Sequence, residues 1–179
     1  MNIETILKEL TLEEKAALCS GADFWHTKPV ERLDIPQIMV SDGPHGLRKN
    51  REGAQNPNEA IEAVCFPSAS ALACSFDRGL LKELGKALGE ECRAENVSVI
   101  LGPGCNIKRS PLCGRNFEYM SEDPHLISEM AVPLIRGIEE QDTAACVKHF
   151  ALNNQETRRL DVEAAVDERA LRELYLPGF

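Results

Sequence analysis

An α/β fold built on a parallel sheet is what this sequence predicts, and three observations predict it. Short, nearly all-apolar runs of strand length alternate with longer segments whose apolar residues recur at the helical period. The runs lack in–out alternation, as strands covered by helices on both faces do. Polar residues collect just past the C-terminal end of each run, where such folds meet their ligands. The pattern amounts to roughly four or five β/α units, the first half or more of a TIM-barrel-like (β/α)8 domain that typically needs ~250 residues. The chain has 179. Residues 1–179 are therefore expected to hold about half of such a domain, with the rest of the barrel absent. The halt at Leu176-Pro177-Gly178-Phe179, directly after a helix, reads as a piece of a longer chain.

Each element has its own signal. Thr11-Leu12-Glu13-Glu14 carries the capping-box pattern and opens a helix that Gly21 ends. Pro36 to Ser41 is a buried strand running into the turn Asp42-Gly43-Pro44. The charged stretch 48–63 is a loop, and the small apolar residues from Phe66 to Cys74 read as a second strand. Asp77 caps a helix with Leu80, Leu81, Leu84 and Leu88 on one face. Val97 to Leu101 is a third strand, followed by a long loop from 102 to 122. Asp123-Pro124 opens a helix whose Ile127, Met130, Ala131, Leu134, Ile135 and Ile138 share a face. Ala144 to Phe150 is a fourth strand, ending in Lys148-His149; Val162 to Val166 reads as extended. Asp167 then caps a last helix with Leu171, Leu174 and Tyr175.

Composition narrows the function. Twenty Lys+Arg against 29 Asp+Glu leave a formal charge of −9, which repels phosphate backbones and anionic lipid and argues against nucleic-acid or membrane partners. No apolar run approaches the roughly 18 residues of a membrane span. The acidic start MNIETILKELTLEEK lacks the basic opening of a signal peptide, so a cytoplasmic chain is expected. Its seven cysteines form no C-x-x-C pair. Reduced structural thiols, such as Cys74 and Cys146 within apolar runs, are the expectation, with a metal cluster as the alternative.

Three polar sets stand out, each with a plainer alternative. Asp42 either caps its own turn or accepts hydrogen bonds from adjacent ligand hydroxyls, as a sugar offers. Arg109 and Arg115, near Glu118, Glu122 and Asp123, make either a surface ion-pair network or an arginine fixed by a glutamate beside a site. Lys148-His149 ends an apolar strand; neighbouring strand residues point to opposite faces, so both reach a ligand only where the strand finishes or bulges. A lone histidine is commonly a satisfied core residue, but a lysine is seldom buried without a partner. Trp25 and His26 read as core packing, with an apolar wall as the alternative; His45 and His125 read as turn and helix-start residues. Gly102-Pro103-Gly104 lacks the Lys-Ser/Thr of a phosphate loop, and Ser41 lacks a G-x-S-x-G context.

Together, Ser41-Asp42-Gly43-Pro44-His45-Gly46-Leu47-Arg48, the stretch from Arg109 through Gly114-Arg115-Asn116-Phe117-Glu118 to Glu122-Asp123-Pro124, and Val147-Lys148-His149-Phe150 resemble glycoside hydrolase family 3, more narrowly its bacterial β-glucosidases. The tail from Asp167 to Pro177 is also similar, and the likeness runs from about residue 8 to the end. The resemblance implies a (β/α)8-like domain followed by an α/β sandwich domain, and retaining hydrolysis of terminal non-reducing β-D-glucosyl residues with no metal or organic cofactor. It implies that Asp42, Arg115, Lys148 and His149 bind hydroxyls in the first subsite, with Glu118 bracing them. The family's nucleophile is an aspartate in a Ser-Asp-Trp-like strand end, whereas the one tryptophan here is Trp25 and Ser41-Asp42 precedes Gly-Pro. The acid/base glutamate lies in the later domain. Retention needs two carboxyl groups about 5–5.5 Å apart, so the chain is expected to hold the sugar-gripping residues without that pair and to be inactive alone. Two other readings stand beside this one. One is a stand-alone sugar-binding or regulatory module; the other is a hydrolase using Asp42 and His149 as an acid/base pair.

Overall fold

Three short strands, β1 (Val40–Asp42), β2 (Val99–Leu101) and β3 (Ala144–Ala145), form a parallel sheet in the order β1-β2-β3 in the computed structural model, which describes residues 2–54, 56 and 59–179. Val40, Ser41 and Asp42 pair with Val99, Ile100 and Leu101, while Val99 and Ile100 pair with Ala144 and Ala145. Ser41 and Ile100, side by side in this register, are buried. All three strands finish at the same end, so their following loops share one rim.

Helices link the strands. Asn2 caps α1 (Ile3–Glu9), which the sequence reading missed, and Thr11 with Glu14 forms the expected capping box on α2 (Leu12–Ser20). These pack a small apolar cluster of Leu10, Val30 and Leu33 apart from the main core. α3 (Ala69–Ala73) precedes α4 (Arg78–Ala94), whose Leu81, Leu84, Leu88 and Cys92 face α5 (Pro124–Glu139) through Ile127, Met130, Leu134 and Ile138. Burying each such large side chain contributes about 1.5–3 kcal/mol. The two helices touch backbone to backbone. A Cβ on Gly85 would lie 2.2 Å from the Leu134 carbonyl oxygen, and one on Gly137 2.2 Å from that of Lys82. α6 (Glu168–Ala170), capped by Asp167, continues as a wider turn over Leu171–Tyr175.

Several expectations are corrected. Phe66 to Cys74 is not a strand: Ser68 accepts a hydrogen bond from the Ala71 N–H, and the Ala-rich residues behind that cap coil into α3. The fourth run forms strand only at Ala144–Ala145, leaving Lys148 and His149 beyond it. Residues 162–166, read as extended, belong to no helix and pair with no strand. The sheet of the described residues thus has three strands, and β/α units do not number four or five. Leu80 is 46% exposed rather than on the buried face of α4. Cys92, Cys105 and Cys113 are buried, whereas Cys19, Cys65, Cys74 and Cys146 are exposed, because the runs around the last two pack only partly. The expected loop 48–63 includes Gln55, Pro57 and Asn58, which lie outside the described residues.

Among the described residues no helix is long and apolar enough to cross a membrane.

Candidate functional site

The rim above the strand ends surrounds a cavity of about 1010 Å³ whose lining includes Trp25, Asp42, Arg115, Lys148, His149, Asn153 and Asn154. Asp42 is the last residue of β1. The chain then turns sharply: Arg48 N–H bonds back to the Asp42 carbonyl at 2.9 Å, and the Arg48 guanidinium reaches Asp42 Oδ2 at 2.6 Å. Lys148 follows β3 where β2 is also extended, its N–H bonding the Pro103 carbonyl at 3.0 Å and its carbonyl accepting from Cys105 N–H at 2.6 Å. That alignment carries Lys148 Nζ to 2.7 Å from Asp42 Oδ1. The peptide bond between Lys148 and His149 is cis, and both side chains line the cavity.

Arg115 sits just before a single helical turn, Asn116–Glu118. The three-residue spacing brings the buried Glu118 carboxylate onto Arg115 Nε, and leaves its other oxygen 3.9 Å from Lys148 Nζ. Asn116 Nδ2 pins this loop to the Ser110 carbonyl at 2.7 Å, and Ser70 Oγ ties α3 to the Asn116 carbonyl at 3.1 Å. Arg115 Nη2 lies 2.9 Å from His149 Nε2, and Tyr119 Oη lies 2.8 Å from His149 Nδ1.

Electrostatics follow from this packing. Burial alone would raise the Asp42 carboxyl, but the Lys148 hydrogen bond, with the charges of Lys148 and Arg48, holds it below its ordinary value. Burial first, then the Arg115 and Lys148 charges, push His149 down to about 4, so its ring is neutral near pH 7. Burial lowers His45 as well. That residue accepts a hydrogen bond from Ala69 N–H at 3.0 Å and lies outside the main cavity.

The structure therefore brings Asp42, Arg115, Lys148 and His149 onto one cavity, with Glu118 buried behind them. Arg109 is elsewhere: it is exposed and donates to Tyr175 Oη at 3.4 Å. Asp123 caps α5. Asp42 and His149 are each engaged by other partners rather than by one another, which argues against an acid/base pair made of those two. Trp25 is half-buried at the cavity wall, edge-on to the exposed Phe24 with ring centroids 4.9 Å apart. It is anchored by Asp23, whose Oδ1 accepts from Trp25 N–H at 2.7 Å and His26 N–H at 2.9 Å. Sequence reasoning also passed over Arg48, Tyr119, Asn153 and Asn154. The polar run Asn153-Asn154-Gln155-Glu156 just past Lys148-His149 was a usable signal; a tyrosine beside Met120 carried none. Among the described residues no cluster of three or more His, Cys, Asp or Glu is placed to hold a metal ion.

A parallel α/β domain whose strand ends gather a carboxylate, a guanidinium, an ammonium and a neutral imidazole on one open hollow defines a class. It is that of α/β domains with a polar, charged hollow at the strand ends, where charged donors and acceptors make the stronger hydrogen bonds. The chain belongs to glycosyl hydrolase family 3: residues 10–179 match the model of that family's N-terminal domain. It is 64% identical over its whole length to "Thermostable beta-glucosidase B" of Acetivibrio thermocellus, of which it covers 24%. It is 50% identical over 97% of its length to an exo-α-(1→6)-L-arabinopyranosidase of Bifidobacterium longum, covering 23% of that protein. The crystal structure of a β-glucosidase from Kluyveromyces marxianus in complex with glucose superposes with a TM-score of 0.91 at 44% identity, over 99% of this chain and 21% of that one. The chain thus spans about a quarter of the length of the curated relatives it matches.

Proposed function

We propose that residues 1–179 are the N-terminal portion of a (β/α)8-like glycosidase domain and supply the sugar-gripping part of a retaining β-glucosidase. In this reading Asp42 accepts hydrogen bonds from hydroxyls of a terminal, non-reducing β-D-glucosyl unit, while Arg115 and Lys148 donate to its oxygens. His149 lines the hollow beside them with its Nε2 against Arg115 at 2.9 Å, completing the subsite, and Glu118 braces the two cations. The observation that carries the reading is the Asp42–Lys148 contact of 2.7 Å across two strand ends, on the same cavity as Arg115 and His149. The glucose-bound relative supports a sugar as the ligand. Asp42 is engaged by Lys148 and Arg48 and the neighbouring Glu118 by Arg115, and hydroxyl contacts alone favour binding without supplying a chemical step. The nucleophile and the acid/base group are proposed to come from sequence beyond these residues.

The test compares hydrolysis of aryl β-D-glucosides by the 179-residue chain and by the protein extended to the length of its relatives. Turnover by the extended protein alone is expected. Because one relative is named for an L-arabinopyranoside, an aryl α-L-arabinopyranoside belongs beside the glucoside. Turnover by the short chain overturns the division of labour. Glucose binding without turnover in the extended protein assigns the domain instead to sugar-binding modules.

A further inference from the structure

We propose that Tyr119, which lies outside the cavity, is a positioning residue: its hydroxyl holds the His149 ring so that Nε2 is turned, as an acceptor, toward Arg115 and fixes the guanidinium at the sugar's subsite. The inference rests on the function proposed above and deepens it.

Hydrogen-bond chemistry settles the direction of each contact. A guanidinium only donates, so the 2.9 Å approach of Arg115 Nη2 requires a lone pair on His149 Nε2. A neutral imidazole then carries its proton on Nδ1, 2.8 Å from Tyr119 Oη, and Nδ1–H donates to that oxygen. The opposite tautomer would set an N–H against the guanidinium N–H. Asn153 Nδ2 donates to the same Tyr119 oxygen at 2.7 Å, so the hydroxyl is held from two sides. Burial raises the phenol to about 12, which keeps it an O–H group throughout the working pH range.

The hydroxyl itself has a fixed base. Tyr119 is fully buried, its ring edge-on to the imidazole at 86°. The space beside it is closed by Gly104, where an added Cβ would come within 3.0 Å of Tyr119 Cδ1 and 2.4 Å of the Glu118 carbonyl oxygen. Asn153 is in turn gripped by Asn106, which is 1% exposed. Asn106 Oδ1 accepts from Asn153 N–H at 3.0 Å, and its Nδ2 donates to the Asn153 carbonyl at 3.1 Å. A continuous chain thus runs from a buried amide through Asn153, Tyr119 and His149 to the guanidinium at the cavity. Losing an acceptor from a buried N–H leaves a donor unsatisfied and the ring free to turn.

A double-mutant cycle in the protein at the length of its relatives, with an aryl β-D-glucoside as probe, tests this. Tyr119→Phe is expected to lower kcat/KM about tenfold, mostly through KM, and to cause less than about a twofold further loss in a His149→Ala background. Additive losses, or a Tyr119→Phe variant with the wild-type kcat/KM, overturn the inference while leaving the proposed function standing. Absence of aryl-glycoside turnover in the unmutated protein removes the proposed function and this inference with it. Should Tyr119→Phe not accumulate in soluble form, Asn153→Ala takes its place in the cycle under the same criterion.

Discussion

Burial and the neighbouring Arg115 and Lys148 hold His149 neutral down to about 4 in the fold, whereas the unfolded chain protonates it near the ordinary 6.5. Between those values the unfolded state binds more protons, so the contribution is fully present above about 6.5, declines as pH falls, and is gone below about 4. Urea midpoints measured from about pH 7 to about pH 4 should fall, and His149→Gln should flatten part of that fall. Glu118 is a second residue with a measurable role. It is 4% exposed and bound to Arg115, so Glu118→Ala strands a guanidinium in a half-buried place. A loss of about 2–3 kcal/mol in denaturant unfolding is expected. The residues that share the cavity were legible because a carboxylate, an arginine and a Lys-His pair past apolar strands are out of place unless something uses them. Tyr119 was not legible: an aromatic beside Met120 looks like any core residue until its hydroxyl is located.

Elements obeyed their end signals more faithfully than their interiors. Thr11, Asp77, Asp123 and Asp167 all cap helices where the sequence puts them, because a side-chain oxygen satisfying free N–H groups is a local event. Interior patterns depend on what lies opposite, so the small apolar residues of α3 were as compatible with strand as with helix. Asp77→Ala should cost about 1 kcal/mol by loss of its bond to Leu80 N–H, read from the thermal midpoint. Gly137→Ala should cost more, about 1–3 kcal/mol. Its methyl group meets the Lys82 carbonyl, and α4 must move away from α5 to admit it.

At the scale of the molecule, alternation of apolar runs with amphipathic helices correctly implied a parallel sheet. It overstated the amount of strand, since none of the three exceeds three residues and long ordered loops do much of the connecting. α1 escaped notice because its seven residues bury no side chain. Among the described residues β1 is covered on its other side, Val40 N–H donating to the Trp25 carbonyl at 2.8 Å and Arg48 N–H to that of Asp42 at 2.9 Å, whereas β3 pairs with β2 alone, so its outer edge is able to recruit another chain. Sedimentation of the 179-residue chain should therefore show association that grows with concentration, and an unchanging monomer would contradict this. The anchored turn at Asp23 has a practical corollary. It places the chain's single tryptophan against the hollow that holds Asp42 and Lys148. Tryptophan emission of this polypeptide is thus an unlabelled optical reporter of the indole's surroundings, which include this hollow and a second one beside Met39 and Asn50, and quenching by a saccharide that Asp42→Ala abolishes would assign the signal to the first.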